Sequence, residues 1–364
     1  MKIVRRQTSC VFALSALLVM ATLLQPLRGE LSTQQGDHTC AHEDDCTCTQ
    51  GEGLGYDLEW GAGRQRYFFA DVLLWTVREG AAENWAQNIL SEGNQVGNAT
   101  LIGAPFDWTA GFRVGTGVHR EGGFDTTLYY TNFHTSARNQ ASGEIYSALL
   151  GNFFMDNTDG GSFGPHYLHA SVLWDFNFHS IDFEFGRSHN VGTNLELRPF
   201  LGLKAAIIKQ SIKTRWLGPI DTPDHTYTFT SATEDLNLDF WGIGPSLGAT
   251  IAMPLRERES SSLKLFGTPS AAIMFGRWNC REVYENDEAQ IAVDTSPITG
   301  AATMLRGVIG LEWERRSTRM TSTVRFGYEA QVWLNQMQFY SYNMGRLNNL
   351  MSLQGGFVEL CVGF

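Results

Sequence analysis

The sequence is short of charged residues and of long apolar runs, and both shortages limit what the chain can be. Only 18% of its 364 residues are charged, against about a quarter in a soluble domain. Beyond the N-terminal segment, no stretch approaches the roughly 18 apolar residues that a spanning helix needs. Mean hydropathy is −0.18. A bundle of membrane helices is therefore excluded, and if the chain enters a membrane, it does so without helices.

The N-terminus has the pattern of an export signal. Basic residues precede an apolar segment at 11–24, VFALSALLVMATLL. A basic start followed by a short apolar core is typical of a signal peptide, and this core is too short to span a membrane as a helix. We predict a signal peptide over 1–29, with Gly29 as the last removed residue.

Once the signal is removed, the chain is poor in basic residues. The removed segment holds four basic residues and no acidic one, which leaves 23 basic against 38 acidic residues and a net charge of −15. Contacts to phosphates require a basic face. We therefore expect no nucleic-acid partner.

Residues 30–65 are polar, glycine-rich and without periodicity, and they are predicted to form a periplasmic leader. Cys40, Cys46 and Cys48 lie here, among five cysteines that remain after processing. Nearby His and Asp residues raise a metal site as an alternative, but the spacing matches no zinc pattern. We predict no metal and no cofactor. In an oxidising periplasm, disulfides are expected for these three cysteines, and the odd total leaves one thiol for an intermolecular bond.

From Tyr67 onward, apolar residues alternate with small or polar ones, which is the period of a β-strand. Residues 106–120 have the clearest alternation, and a Glu-Gly-Gly turn then precedes an apparent partner strand, as in a hairpin. In 166–187 the apolar parity changes by one residue, which predicts a bulge near His179–Ser180. Ten strands are predicted, near 66–78, 106–120, 124–134, 166–187, 195–207, 240–253, 263–277, 304–314, 322–334 and 351–364.

Short and long connections alternate between these strands, and the strand count is even. Such a pattern predicts an all-β, antiparallel transmembrane β-barrel over 66–364, with short periplasmic turns and long extracellular loops. The terminal strand must pair with the first, because lipid leaves no partner for an open edge. A soluble β-sandwich is the alternative, but its second face would be rich in Lys, Glu and Thr. Here that face is mostly Gly, Ser and Thr with sparse charges.

Six segments in this order resemble the pore-forming outer-membrane proteins of Legionella type, which are distantly grouped with chlamydial major porins and are abundant in planctomycetes. The segments are FFADVLLWTVREGAAENWA (68–86), DWTAGFRVGTGVHREGGFDTTLYYTNFHT (107–135), LWDFNFHSIDFEFGR (173–187), LELRPFLGLKAAII (195–208), FWGIGPSLGATI (240–251) and FVELCVGF (357–364).

The resemblance implies a barrel of the bacterial outer membrane that forms a pore, and it extends the range of strand numbers to 10–16. It also implies that the terminal Phe364 acts as an assembly signal for the barrel-assembly machinery. By analogy with the chlamydial relatives, we hypothesise that the cysteine leader cross-links neighbouring copies, so that a homo-oligomer is one expected partner. Membrane lipid is the other.

The inward face of the barrel is the candidate site. The predicted pore-lining residues are Asp107, Arg113, His119, Asp175, Asp182, Glu184, Glu196, Arg198, Lys204, Arg306, Glu312, Arg325, Glu329 and Glu359. Facing charges of both signs could orient polar solutes in a pore that allows passive diffusion of small solutes or ions. The alternative is an ion network that plugs a narrow structural or adhesive barrel.

Catalysis is the remaining functional class. A surface hydrolase embedded in a barrel would need a His with a carboxylate or Ser at the loop rim. His134 and His166 flank the predicted loop 137–164, but single histidines near loops are common. We therefore predict that the chain is not an enzyme.

Overall fold

The described part of the chain consists of fifteen β-strands and short connections. The computed structural model describes residues 65–79, 84–89, 99–147, 166–192, 194–221, 226–341 and 345–364. The strands are β1 (Gln65–Arg78), β2 (Asn84–Ile89), β3 (Ala99–Gly103), β4 (Thr109–His119), β5 (Phe124–Ser147), β6 (Tyr167–Arg187), β7 (His189–Asn190), β8 (Glu196–Pro219), β9 (Ser231–Arg258), β10 (Ser261–Gly267), β11 (Ser270–Asn286), β12 (Gln290–Asp294), β13 (Ile298–Arg316), β14 (Thr321–Ser341) and β15 (Gly345–Gly363). Within these ranges, no helix has the length and apolar character needed to cross a membrane.

Antiparallel pairing closes the sheet into a ring. The order around the ring is β1, β4, β5, β6, β8, β9, β11, β13, β14 and β15, and β15 pairs back onto β1. The pairing of β15 with β1 extends to Phe364, because Arg66 and Phe364 exchange two backbone hydrogen bonds of 2.9 Å. The described residues therefore form a ten-position barrel without an open edge, as the alternation up to the C-terminus predicted, and a two-layer sandwich is excluded.

One ring position is shared by two strands. β10 and β11 both lie between β9 and β13, one at each end of the same position. Thr268 and Pro269 separate them, and Thr268 still exchanges backbone hydrogen bonds with Val308. Pro269 has no N–H to donate to the ladder, which explains why the predicted single strand 263–277 is interrupted here.

The strands are longer at one end of the barrel than the sequence predicted. β9 has 28 residues and β8 has 24, whereas about 9–11 residues cross a membrane. The connection predicted between the strands at 322–334 and 351–364 is therefore largely strand, and so is much of the connection predicted between those at 195–207 and 240–253. The short strands β2, β3 and β12 extend the sheet at this end as well. We call this end the long-loop end, and the opposite end, which carries both termini of the barrel, the short-turn end.

The turn between β4 and β5 is the Glu-Gly-Gly turn that the sequence predicted. Residues Glu121–Gly123 form a single tight turn. Gly122 and Gly123 both have φ of 79°, a conformation that residues with a Cβ rarely adopt. Glycine is therefore required at these two positions, and the turn sets the register of the β4–β5 hairpin.

The two faces of the ring differ in polarity. An outward belt of apolar side chains surrounds the short-turn part of the barrel and includes Val72, Leu203, Ile243, Ile309 and Val358, each more than half exposed. Such a belt is stable only against lipid, because its exposure to water would be costly. The inward side chains alternate with the belt along each strand and are mostly buried. Above the belt, towards the long-loop end, the outward face becomes polar.

The predicted bulge near His179–Ser180 is wrong. β5 and β6 pair without interruption from Phe133↔Phe178 to Tyr130↔Ile181, so the strand keeps one phase. The apolar residues change parity because the apolar face itself changes: Phe178 is buried inside the barrel, while Ile181 faces outward. The interior near the long-loop end is apolar, whereas nearer the short-turn end the apolar face is the outer one.

Inward glycines of β4 lie under aromatic rings of β1. A Cβ at Gly117 would overlap the ring of Tyr67, and a Cβ at Gly115 would overlap the ring of Phe69. The Tyr67 hydroxyl then reaches Thr127 Oγ1 at 2.5 Å. The small residues therefore leave space that large inward rings fill, which is the close approach expected of glycine in a strand.

Candidate functional site inside the barrel

Arg113 is the centre of a charged cluster that crosses the lumen. Its guanidinium donates to Asp71 Oδ2 at 3.0 Å, to Glu329 Oε2 at 2.9 Å and to Thr131 Oγ1 at 3.1 Å. Arg306 Nε donates to the other oxygen of Glu329 at 2.7 Å. β4 and β14 are separated in the ring by β1 and β15, so the Arg113–Glu329 pair bridges distant parts of the wall. Arg113 is 5% exposed and Glu329 is 0% exposed.

A second cluster lies on the opposite side of the interior. Arg198 Nε donates to Asp125 Oδ2 at 2.8 Å, and its Nη1 donates to Glu184 Oε2 at 3.2 Å. Lys204 Nζ donates to Asp182 Oδ1 at 2.7 Å. These side chains come from β5, β6 and β8, which are neighbours in the ring. Each cation is paired with carboxylates of β6 or, across β6, of β5, as buried charge requires.

A third cluster lies nearer the short-turn end, on β8, β10, β13, β14 and β15. Arg325 Nε donates to Glu312 Oε2 at 2.7 Å, and Arg325 Nη1 donates to Glu359 Oε1 at 3.1 Å. Lys264 Nζ donates to Glu196 Oε2 at 2.8 Å. The three clusters together line the short-turn half of the interior with paired charges of both signs.

Twelve of the fourteen predicted pore-lining residues point inward. Eleven of them belong to the three clusters, and the twelfth, His119, lies at the end of β4, where its ring stacks on Tyr67 with 4.7 Å between ring centroids. The structure thus brings these side chains together, although lining of an open pore stays a prediction for them.

Two of the predicted residues do not face the lumen. Asp107 is exposed and lies before β4 begins, outside the strand ladder. Asp175 lies between the buried residues Trp174 and Phe176 of β6, so strand alternation turns Asp175 to the outer face. The sequence placed Asp175 inward because it assumed that the apolar parity of this segment was the lipid-facing one.

Several interior charges escaped the sequence analysis. Asp71 is the register partner of Arg113, and Lys264 is the register partner of Glu312. Asp125 holds Arg198, as described above. The sequence signal that could have identified such an inward charge is its isolation in an otherwise apolar strand, as for Asp71 in FFADVLLW. Its opposite charge could be identified only after the strands were paired.

An apolar layer closes the interior above the charged clusters. Phe178 of β6 and Trp333 of β14 meet edge to face, with 5.6 Å between ring centroids, and neither ring is exposed. Five steps along the ring separate β6 from β14, so these residues approach from opposite walls of a ten-position barrel. Phe133, Phe176 and Trp75 fill the same layer. The described side chains therefore meet across the full width of the lumen.

Polar groups above this layer are buried too. Gln210 donates from Nε2 to Glu79 Oε1 at 3.0 Å and accepts from Trp174 Nε1 at 3.1 Å. Glu79 lies just after β1 and Gln210 lies on β8, so this contact also spans the interior. The side chains at this level thus continue the filling of the barrel.

The connections at the long-loop end are anchored by Asp287. Its carboxylate accepts hydrogen bonds from the backbone N–H and hydroxyl groups of Thr230 and Ser231, at the start of β9. Donors from Thr230 and Ser231 hold the pKa of Asp287 below its usual range. The anchor joins the β11–β12 connection to the neighbouring strand.

The predicted disulfide candidates Cys40, Cys46 and Cys48 lie outside the described residues. Within the described ranges, neither Cys280 nor Cys361 forms a disulfide. In the same part of the chain, no group of three or more His, Cys, Asp or Glu side chains is arranged to hold a metal ion.

Solved outer-membrane proteins resemble this fold only distantly. The outer membrane protease OmpT of Escherichia coli has 8% identity and a TM-score of 0.41, over 82% of this chain and 96% of that chain. A Pseudomonas aeruginosa FadL homologue has 8% identity and a TM-score of 0.23, over 83% and 90% of the two chains. The Pseudomonas putida toluene transporter TodX has 7% identity and a TM-score of 0.19, over 83% and 89%. Likenesses at this level carry no functional argument.

The sequence matches one protein family over most of its length. No curated protein matches the chain significantly. The profile of the family described as Legionella pneumophila major outer membrane protein precursor matches residues 67–364, which include strands at all ten positions of the closed ring. The chain therefore belongs to the Legionella major outer membrane protein family, and it is a β-barrel of the bacterial outer membrane.

Proposed function

We propose that the chain is a structural outer-membrane barrel with a closed lumen, which presents its long-loop end at the cell surface. The contact between Phe178 and Trp333 carries this proposal, because the two rings come from opposite walls and are fully buried. Eight strands leave no channel and 16–18 leave a wide one, so a ten-position ring is close to the filled limit. A solute would have to separate these rings to pass.

The charged clusters support the same function. Glu329 is held by two guanidiniums, and the carboxylate and both cations are mostly or fully buried. Separating such a pair leaves uncompensated charge in a confined site, which costs about 3–5 kcal/mol. The clusters therefore join the strands across the lumen and oppose widening of the barrel.

Planar-bilayer recording of the purified protein tests the proposal. The wild-type protein should show no discrete conductance steps at several salt concentrations. Replacing both rings, with Phe178→Ala and Trp333→Ala, should open a path and produce steps. Phe183→Ala is the matched control, since Phe183 faces the lipid and its removal should leave the bilayer silent. Discrete steps from the wild type would overturn the closed-lumen proposal.

Passive diffusion of small polar solutes or ions is the second candidate function. The carboxylates and cations that face one another in the short-turn half favour it, because such a lining orients polar solutes. It requires the apolar layer to open in the membrane. Wild-type conductance that depends on Arg113 or Arg306 would support this candidate.

The proposal assigns no catalytic role. His134 faces outward and contacts the carbonyl of Phe176, while His166 packs on Tyr146. Lipid around the belt and the barrel-assembly machinery at the C-terminal strand are the proposed partners. Adhesion by the long-loop end and assembly into homo-oligomers are compatible with a closed barrel.

A further inference from the structure

Five cations face outward on one side of the barrel, just above the apolar belt. We call them the cationic patch. They are Lys209, Lys213 and Arg215 on β8 and Arg277 and Arg281 on β11, and each is exposed. The belt ends directly below them with exposed Ile207, Trp241 and Phe275. The patch therefore lies where the headgroups of the membrane leaflet at the long-loop end must be.

The two columns of cations flank β9. Lys209 pairs in register with Asp239, and Asn237 pairs with Arg281. Two interstrand spacings, roughly 10 Å, separate β8 from β11. Lys213, Arg215 and Arg281 also line a surface depression of about 580 Å³. A bulky anionic group can thus contact cations from both sides at once.

Acidic residues lie among the cations in equal number. The outward acids are Asp235 and Asp239 on β9, Glu285 on β11, Asp294 on β12 and Asp175 on β6, which pairs in register with Ser211 of β8. Asp235 contacts Lys213 at 3.3 Å, and Asp294 of β12 contacts Arg281 at 3.5 Å. Exposed ion pairs of this kind contribute little, so a more highly charged anion can displace them.

Outward cations are sparser on the rest of the outer surface at this height. Among the side chains that the structure describes, β1 has Arg78 and β5 has Arg138. The described outward residues of β13 and β15 above the belt are uncharged and include Thr299, Ala301, Ser352 and Gln354. Cations that merely marked the headgroup level would be expected around the whole circumference. Their concentration on β8 and β11 indicates a localised site.

We propose that the cationic patch binds the phosphorylated headgroup of a glycolipid in the outer leaflet, whose acyl chains lie along Trp241 and Phe275. Guanidinium groups bind phosphate through paired hydrogen bonds, and lysine adds a point charge. The apolar residues directly below the patch provide the second half of the recognition, which a free phosphate could not use. This site is independent of whether the lumen is open or closed.

Native mass spectrometry of the full protein in detergent, titrated with diphosphoryl lipid A, tests the site. The double variant Lys213→Gln with Arg281→Gln should weaken binding by at least about tenfold, since it removes charge-assisted hydrogen bonds to the phosphates from both sides of the patch. The matched control is Arg258→Gln with Arg315→Gln, two exposed cations at the short-turn end. This pair should leave the affinity unchanged.

A variant that should increase the affinity for lipid A provides a second test. Asp235→Asn removes the carboxylate that contacts Lys213, so it should strengthen lipid A binding. Lipid A without phosphates should bind far more weakly, and inorganic phosphate should not compete at concentrations similar to the lipid. Equal losses in the patch and control variants, or equal binding of dephosphorylated lipid A, would reject the site. Effective competition by inorganic phosphate would show a free-anion site and would also overturn the proposal.

Discussion

Removing Arg113 should destabilise the barrel by leaving Asp71 charged and unpaired. Arg113→Met keeps an unbranched chain of similar length but loses the hydrogen bonds to Asp71, Glu329 and Thr131. Glu329 keeps two bonds from Arg306, at 2.7 and 3.1 Å. Asp71 is 2% exposed, and its Oδ1 already lacks a partner, so most of the penalty falls on this carboxylate. Breaking a buried pair on one side costs about 3–5 kcal/mol.

Because the loss of stability should arise mainly at the Asp71 carboxylate, a second substitution at Asp71 should restore part of it. Asp71→Asn in the Arg113→Met background removes the buried charge, and it should recover about 1–3 kcal/mol, the typical cost of an unsatisfied buried group. Urea titration of the protein in lipid vesicles, followed by tryptophan fluorescence, measures the free energy of unfolding for both variants. Arg315→Met, at an exposed position, should stay within about 0.5 kcal/mol of the wild type. A loss below about 1 kcal/mol for Arg113→Met, or no rescue, would refute the reasoning.

Three further outcomes are expected. Gly117→Ala places a Cβ against the Tyr67 ring and should cost about 1–3 kcal/mol, whereas Gly307→Ala, with no atom within 4 Å of the new Cβ, should be neutral in the same urea titration. The Asp287 carboxylate has a lowered pKa, so its stabilisation of the β11–β12 connection is present above the unfolded pKa of about 3.9 and is lost as pH falls through the lower folded pKa. Hydrogen exchange of this connection should therefore rise below about pH 4 in the wild type. Asp287→Ala should show fast exchange at all pH values. Deleting Phe364 should slow assembly in cells, measured by the heat-modifiable band on electrophoresis, and unchanged assembly would remove the predicted signal role.

The filling of the interior at successive levels supports the proposed closed state. Paired charges occupy the short-turn half, and aromatic rings occupy the level above it. In both levels, side chains meet across the interior: Arg113 reaches Glu329 past β1 and β15, and Phe178 meets Trp333 from the opposite wall. A wider ring could not satisfy both sets of contacts, since the lumen of a barrel grows with the number of strands.

Strand positions were predictable from the sequence because alternation is a local property. The hairpin turn at Glu121–Gly123, the membership of the terminal segment 351–364 in the ring and the inward face of β4 all follow from period two and turn chemistry. The ends of the strands were not predictable. β9 continues far beyond the membrane, where its outward face becomes polar and the apolar signal is lost.

The facing of β6 shows the limit of this reasoning most clearly. The alternation of apolar residues along β6 is compatible with a lipid-facing apolar face or with an apolar face buried in the lumen. Only the positions of the neighbouring strands distinguish these two orientations. Asp175 was therefore assigned to the wrong face. Partners such as Asp71 for Arg113 were equally hidden, because they lie 42 residues apart in sequence.

The sequence by itself determined the class of the protein: an exported chain whose alternating strands must close into a barrel, because lipid satisfies no open edge. Only the tertiary structure decided what the lumen contains. Alternation specifies that a side chain points inward, but whether inward side chains leave a channel depends on the diameter of the ring and on which walls face each other. In this barrel, Phe178 and Trp333 meet from opposite walls.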